Sequence, residues 1–157
     1  MIEIERRFLL KQLPKGLGDY KEISQKYFNN NGVYERIRRI HFPNIKYNHF
    51  NYEHIIKTNI SPGINNEEHR VIDSNLFHEI NKRCTKEINK RRYLYRIGNL
   101  TWEVDHFFTM NLVIAEVELE DLNQELMIPK IIQNEIIMEV TEFPQFSNFN
   151  LAESIRE

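Results

Sequence analysis

A single cysteine, Cys84, in 157 residues leaves no intramolecular disulfide and fits a reducing compartment. No run approaches the roughly 18 apolar residues that a membrane-spanning helix needs. The chain starts with alternating charged and apolar residues and lacks the apolar stretch of a secretory signal, so a cytoplasmic protein is expected. The net charge of −2 lacks the basic excess of a nucleic-acid binder. Neither nucleic acid nor membrane is therefore expected as a partner. The six histidines (His41, His49, His54, His69, His78 and His106) show neither H-x-x-x-H nor H-x-H spacing, which argues against zinc. No internal repeat and no linker is visible, so residues 1–157 read as one domain.

Charge is abundant but segregated. Basic residues cluster at Arg36–Arg39 and Lys82–Arg96, acidic ones at Glu116–Asp121. The opening residues, Met1-Ile2-Glu3-Ile4-Glu5-Arg6-Arg7, alternate strictly. On a strand, Glu3, Glu5 and Arg7 share one face and Ile2, Ile4 and Phe8 the other. Such a charged row, about 7 Å per step, suits a polar lumen or a solvated edge better than a packed core.

Strand-like alternation recurs at 2–10, 20–28, 33–41, 52–59, 67–72, 86–97, 100–108, 112–120 and 136–142. Turn signals separate these runs: Pro14-Lys15-Gly16, Asn29 to Gly32, Ser61-Pro62-Gly63, and the tight Gly98-Asn99. A helix is predicted over 74–84, capped by Asp73 or Ser74, with Leu76, Phe77, Ile80 and Cys84 as its apolar stripe. Further helices are expected near 147–156 and near 121–134. Cys84 and Trp102 read as core residues and His78 as a helix-surface residue. So many strands in one small domain imply a closed antiparallel barrel or a sandwich.

Face-by-face reading favours the barrel. Val113, Ala115, Val117 and Leu119 oppose Glu116, Glu118 and Glu120. Tyr34, Arg36 and Arg38 share a face, as do Lys86, Ile88, Lys90 and Arg92, and as do Ile55, Lys57 and Asn59. Charged faces of both signs on several strands fit one common lumen, with the apolar faces turned outward to helices and loops.

These residues, in order, resemble the CYTH domain of the triphosphate tunnel metalloenzymes. Glu3-Ile4-Glu5-Arg6-Arg7 resembles its E-x-E-x-K opening, and Gln25-Lys26-Tyr27 its Q-x-Y. Arg36-Ile37-Arg38 resembles R-x-R, Ile56-Lys57-Thr58 the T-x-K-like strand, and Ile88 to Tyr93 the I-x-K-x-R-Y strand. Trp102 to Phe107, Ala115-Glu116-Val117-Glu118 and Glu139-Val140-Thr141 resemble W-E-V-D-x-F, A-E-V-E and E-V-T. The resemblance spans essentially the whole chain.

The resemblance implies a mainly β, α+β fold: an eight-stranded antiparallel closed barrel forming a polar tunnel, with a few flanking helices. It implies Mg²⁺ or Mn²⁺ held by Glu3, Glu5 and Glu118, with Glu116 as a further candidate. Arg7, Arg36, Arg38, Lys57 and Arg92 would bind phosphates, and Lys90 with Tyr27 would activate water. The implied activity is hydrolysis of inorganic triphosphate. Alternatives on the same fold are an adenylate cyclase, a nucleoside or thiamine triphosphatase, and a module that binds triphosphate without efficient turnover. A homodimer is compatible with a tunnel protein of this size.

Three departures qualify the resemblance. Arg7 stands where the opening motif has lysine, keeping charge but changing donor geometry. The R-x-E-x-E strand is degenerate near 65–72: Asn65 or Asn66 takes the arginine position, Glu67 the first glutamate and His69 the second. The stretch 42–52, with Pro43, Asn44 and Tyr47, is irregular.

Overall fold

A computed structural model describes residues 1–45 and 49–155. Tyr47, in the irregular stretch, and residue 156, at the end of the expected C-terminal helix, lie outside them.

The alternating runs form the strands β1 (Ile2–Leu10), β2 (Tyr20–Asn30), β3 (Val33–His41), β4 (Phe50–Ser61) and β5 (Ile64–Ile72), then β6 (Lys86–Ile97), β7 (Leu100–Phe107) and β8 (Leu112–Leu119). All neighbours are antiparallel in the order β6-β2-β3-β4-β5-β1-β8-β7, and pairing of β7 with β6 closes the eight-stranded barrel. Closure removes the sandwich reading and the two free edges that an open sheet would expose.

Local chemistry explains the hairpins. Asn31 and Gly32 carry φ of 54° and 89° between paired Asn30 and Val33. Two successive left-handed residues match the twist of a two-residue hairpin, and Asn-Gly adopts them at least cost. Gly98-Asn99 likewise joins paired Ile97 and Leu100.

The apolar faces do point outward. Phe8, Leu10, Trp102, Val104, Ala115 and Val117 form a core outside β1, β7 and β8, covered by Leu126, Ile128, Ile131 and Ile132. The second cover is the helix α1 (Ser74–Asn81), whose first turn is capped by Asp73 accepting from the Leu76 amide. Its Phe77 and Ile80, with Cys84, pack on Phe28, Ile37 and Ile72. Leu76 is a correction to the expected stripe: it is 41% exposed. The helix also stops short of 84, at Asn81, so Cys84 reaches the core from the following turn. His78 is exposed, and Trp102 is buried with its indole N–H donating to the Met127 carbonyl (2.9 Å).

Other segments differ more. The helix expected near 121–134 is reduced to α2 (Lys130–Gln133), which starts only after Pro129. The strand expected at 136–142 is β9 (Ile136–Glu139), paired with β1. The C-terminal helix is only α3 (Asn148–Leu151), preceded by a 3-10 turn at Pro144–Phe146 and followed by the short β10 (Glu153–Ser154) on β6. Segment 141–152 thereby folds back as a cap. Its Phe146, Phe149 and Ala152 meet Tyr27, Ile88, Phe107 and Ile114 at one end of the lumen. No helix of the described residues is long and apolar enough to cross a membrane.

Candidate functional site

The pleat puts Glu3, Glu5 and Arg7 of β1 on the lumen side, level with Asn65 of β5 and with Glu118 and Glu116 of β8. Lys57 of β4 stands opposite Glu67 of β5, and Arg36 of β3 opposite Tyr27 of β2. These strands enclose a cavity of about 430 Å³ between the barrel wall and the cap. Glu5, Arg7, Arg36 and Lys57 line one part of it; Tyr27, Ile55, Asn59 and Asn65 adjoin them.

The register settles the degenerate strand. Asn65, not Asn66, occupies the lumen position: it pairs with Glu3 and Asn59, lines the cavity and is buried. Its amide donates to Glu5 Oε1 (3.5 Å) and accepts from Asn59 Nδ2 (3.0 Å). His69 shares that face and lies 3.2 Å from Glu53.

The anionic cluster is crowded. Lys57 Nζ lies 3.2 Å from Glu3, 3.3 Å from Glu5 and 4.0 Å from Glu67. Burial and the neighbouring Glu116 charge push the Glu5 carboxyl up to about 9, against the pull of Lys57. Burial and a hydrogen bond to Glu3 push Glu67 up to about 7. Burial also opposes the charge on Glu3, but the Glu67 hydrogen bond and Lys57 outweigh it and its pKa falls below the ordinary value. The three carboxyls thus hold fewer than three negative charges at neutral pH. Among the described residues, the buried oxygen Glu5 Oε2 has no partner.

The expected cations divide into two groups. Arg38 grips Glu53 through Nε (2.7 Å) and Nη2 (2.6 Å). Arg92 donates to both Asp105 oxygens (2.7 and 2.8 Å) and reaches Glu103 at 2.6 Å. Both are neutralised within the protein and neither lines the cavity. Arg7 and Arg36 line the cavity and keep spare donors. Arg7 Nε donates to Glu116 (3.2 Å) and Nη1 to the Phe146 carbonyl (2.5 Å), while the buried Nη2 has no partner among the described residues. Arg36 Nε is likewise buried without a partner among the described residues, and its Nη2 is 3.9 Å from Glu67. A buried guanidinium N–H left unpaired is costly, so these donors favour an incoming anion.

Lys90 is 1% exposed and does not line the cavity. Its ammonium lies 2.7 Å from Asp105 and donates to Asn148 Oδ1 (3.1 Å), and Asn148 does line the cavity. Burial pulls Lys90 down to about 7 despite Asp105. Tyr27 lines the cavity, and its hydroxyl accepts from Gln25 Nε2 (2.7 Å). Glu116 faces Arg7, Arg92 and Lys57, which outweigh its burial and hold it at about 2. Glu118, level with Glu5 on β8, is exposed.

Asn148 and the cavity-lining cap residue Phe143 were not singled out in the sequence, Thr141 entered only as part of Glu139-Val140-Thr141, and Asn65 only as one of two residues for a degenerate position. The loop residue Gly63 was singled out only as a turn. It has φ of 75°, and a Cβ there would lie 2.6 Å from the Glu5 carbonyl oxygen and 2.8 Å from Thr141 Cγ2. Gly63→Ala should therefore lower the melting temperature by about 3–8 °C, for about 1–2 kcal/mol of left-handed strain and forced displacement of β1. A melting temperature within 1 °C of wild type would show that β1 yields freely.

The donor set can be tested against a divalent cation. Among the described residues no three His, Cys, Asp or Glu form a ready cation cage. A hard cation such as Mg²⁺ does not require one: it keeps several waters and uses one or two carboxylates plus substrate phosphates. Glu3 and Glu5, with the partnerless Glu5 Oε2, fit that pattern.

Fold and site define an antiparallel tunnel barrel whose lumen pairs a carboxylate cluster with guanidiniums left short of partners. Comparisons place it among known proteins. An inorganic triphosphatase from Acetivibrio thermocellus is 42% identical over 74 residues, a match spanning 45% of each chain. This chain thus matches less than half the length of that relative. A crystallised inorganic triphosphatase superposes with a TM-score of 0.62 at 24% identity, covering 99% of this chain and 97% of that one. A chain of the Schizosaccharomyces pombe Mediator head module superposes at 0.57 and 13% identity, covering 85% and 90%. At such identities the structural likeness shows the fold, which different functions share. No protein-family model matches the chain.

Proposed function

We propose that this chain is a CYTH-like tunnel enzyme that hydrolyses inorganic triphosphate, or a closely related triphosphate, with Mg²⁺ or Mn²⁺. The observation that carries this reading is the meeting of partnerless Arg7 and Arg36 donors with Lys57 and a partnerless Glu5 oxygen in one cavity. The local match to an inorganic triphosphatase supports it.

A triphosphate carries about four negative charges at neutral pH. Arg7 and Arg36 would grip its oxygens with the forked geometry that suits phosphate, and Lys57 would add a point charge. Withdrawal of Lys57 toward phosphate would free Glu3 and Glu5 to hold the cation. A bound Mg²⁺ or Mn²⁺ would supply charge neutralisation and polarise a phosphoryl oxygen. Hydrolysis forms a bond from water oxygen to the terminal phosphorus and breaks its bond to the bridging oxygen, releasing phosphate and diphosphate. The water proton needs an acceptor. Lys90, near pH 7 in its titration and joined to the cavity through Asn148, is the group suited to take it. Arg38 and Arg92 would set the field of the lumen from behind their own carboxylates.

Phosphate release from inorganic triphosphate with each cation tests the reading. Cation plus triphosphate at about 100 times Kd should add about 2.7 kcal/mol of stability, or roughly 5–10 °C. Lys90→Met should cut kcat by about 10²–10⁴-fold while that ligand-induced shift persists. Unchanged turnover would remove Lys90 from the chemistry. A binding module is the second reading, favoured by neutral Asn65 at the position where the resemblance expects a phosphate-gripping arginine. Full ligand-induced stabilisation without phosphate release would select it.

A further inference from the structure

Lys90 lies where barrel and cap meet. Its ammonium touches Asp105 of β7 (2.7 Å), stands over the Phe107 ring (5.5 Å) and donates to Asn148 Oδ1 (3.1 Å). Ile23 of β2 is its uncharged neighbour across the sheet. Arg92, on its own strand, opposes its charge, while Asp105 and Glu116 of β8 favour it. Asn148 is neutral and opens α3 in the cap, 58 residues further along the chain. The backbone around Asn148 is pinned on both sides. The Phe146 and Phe149 carbonyls accept from Arg7 and Lys86, and the Ser147 hydroxyl caps α3 by accepting from the Asn150 amide (3.1 Å). The Asn148 side chain therefore meets Lys90 on one side and the cavity on the other.

A base that takes up and releases a proton has two states with opposite needs. An ammonium only donates, whereas an amine also carries a lone pair that accepts. In a buried site, whichever state lacks a partner is disfavoured. The Asp105 carboxylate only accepts, so it serves the N–H groups of Lys90 and not the lone pair. A carboxamide offers an oxygen at one end and an NH₂ group at the other. Its terminal torsion is broad and roughly two-fold, so a half-turn exchanges the two ends without leaving a favoured rotamer. We infer that Asn148 is a positioning residue for Lys90, its amide meeting the ammonium through Oδ1 and, after a half-turn, the amine through Nδ2. The inference rests on Lys90 acting as proton acceptor in the proposed reaction, and it adds the residue that lets so buried a lysine serve in both states. Asn148 itself neither gains nor loses a proton. It left no motif in the sequence, because only the folding of the cap over the lumen brings it to Lys90.

The test uses Asn148→Asp, Asn148→Leu and Asn148→Gln. One readout needs no turnover: the titration of Lys90 in the cation-free protein, followed by NMR of isotope-labelled lysine. An added carboxylate serves only the ammonium, so Asn148→Asp should raise the Lys90 midpoint by about 1–3 pH units. Ser147→Ala, which loosens the α3 cap but keeps the amide, should leave that midpoint in place. The second readout is hydrolysis of inorganic triphosphate with Mg²⁺ as a function of pH. The acid limb of kcat should move upward in Asn148→Asp together with the NMR midpoint. Asn148→Leu, close in volume but a partner to neither state, should lower kcat about tenfold or more with KM within about twofold, and Asn148→Gln should recover part of that loss. An Lys90 midpoint unchanged in Asn148→Asp, or an unchanged kcat in Asn148→Leu, would overturn the positioning role. Loss of turnover in Lys90→Met would in that case leave Lys90 standing as the base. Full turnover in Lys90→Met, or no hydrolysis of triphosphate by wild type, would remove the base and the positioning role together.

Discussion

Glu5→Gln should raise the melting temperature of the cation-free protein at pH 7 and cut triphosphate hydrolysis by at least about 100-fold. The two effects share one cause. Glu5 is 8% exposed, faces Glu116, and titrates in the folded chain at about 9 against an ordinary 4.5. Between those values the folded state holds a proton that the unfolded state has released. Stability from this group is therefore complete below about pH 4.5 and is lost as pH rises toward 9. Glu67, raised to about 7, adds a slope of the same sign over the lower part of that window. Above pH 7 Lys90 opposes both, because its folded pKa lies below its unfolded one and stability then increases with pH up to about 10.5. The clean window is thus pH 4.5 to 7. Across it cation-free wild type should lose stability, and Glu5→Gln should lose less. At pH 7 the variant should gain about 1–3 kcal/mol, or roughly 2–10 °C. Gln binds hard cations poorly, so activity and cation-induced stabilisation should both disappear. Parallel stability–pH profiles for the two proteins, or a fully active variant, would contradict the assignment of Glu5.

Asp105→Ala should destabilise the fold by about 3–5 kcal/mol, lowering the melting temperature by roughly 6–20 °C. Asp105 is 1% exposed and neutralises two buried cations, Arg92 through a two-pronged contact and Lys90 at 2.7 Å. Burial works against its charge, but Arg92 and Lys90 hold its carboxyl far below the ordinary carboxylate range. Without it, Lys90 keeps only the Asn148 oxygen and Arg92 only Glu103. The penalty is that of the uncompensated Arg92 charge and of a buried Lys90 amine that, already lowered to about 7 beside Asp105, gives up its proton and keeps one partner. It should therefore shrink when Lys90→Met is combined with Asp105→Ala, since the underpaired buried amine is then gone. Denaturant midpoints for the single and double variants measure this. A single-variant loss below 1 kcal/mol, or strict additivity, would mean that water enters the lumen and screens the triad.

Much of the architecture was legible because period-2 alternation is a local property. The runs at 2–10, 33–41 and 86–97 coincide with β1, β3 and β6, since each strand carries a charged face and an apolar one. Closure into a barrel followed from several charged faces needing a common interior. The segments after β8 were read poorly because they have little period of their own: α2 and α3 have four residues each and are held by packing on the barrel. At the site, the row Glu3-Glu5-Arg7 and the cavity residues Arg36, Lys57 and Tyr27 were found from strand parity and motif order. Asn65 was ambiguous by one residue until its pairing with Glu3 and Asn59 fixed which side chain faces inward.

What the chain's own order of residues determined is which side chains share a face, because the pleat repeats every two residues whatever lies across the sheet. The tertiary structure alone decided which of those charges are spent and which are spare. Arg38, Arg92 and Lys90 point inward as surely as Arg7 and Arg36 do, yet Glu53 on the neighbouring β4 and Glu103 and Asp105 on the neighbouring β7 meet them and neutralise them. Which charges pair depends on the register between neighbouring strands, and which stay spare depends on the closure of β1 onto β5 and β8 and on the cap that folds over one end. Coulomb energy in a dry interior is set by ångström-scale distances, and no local pattern encodes those.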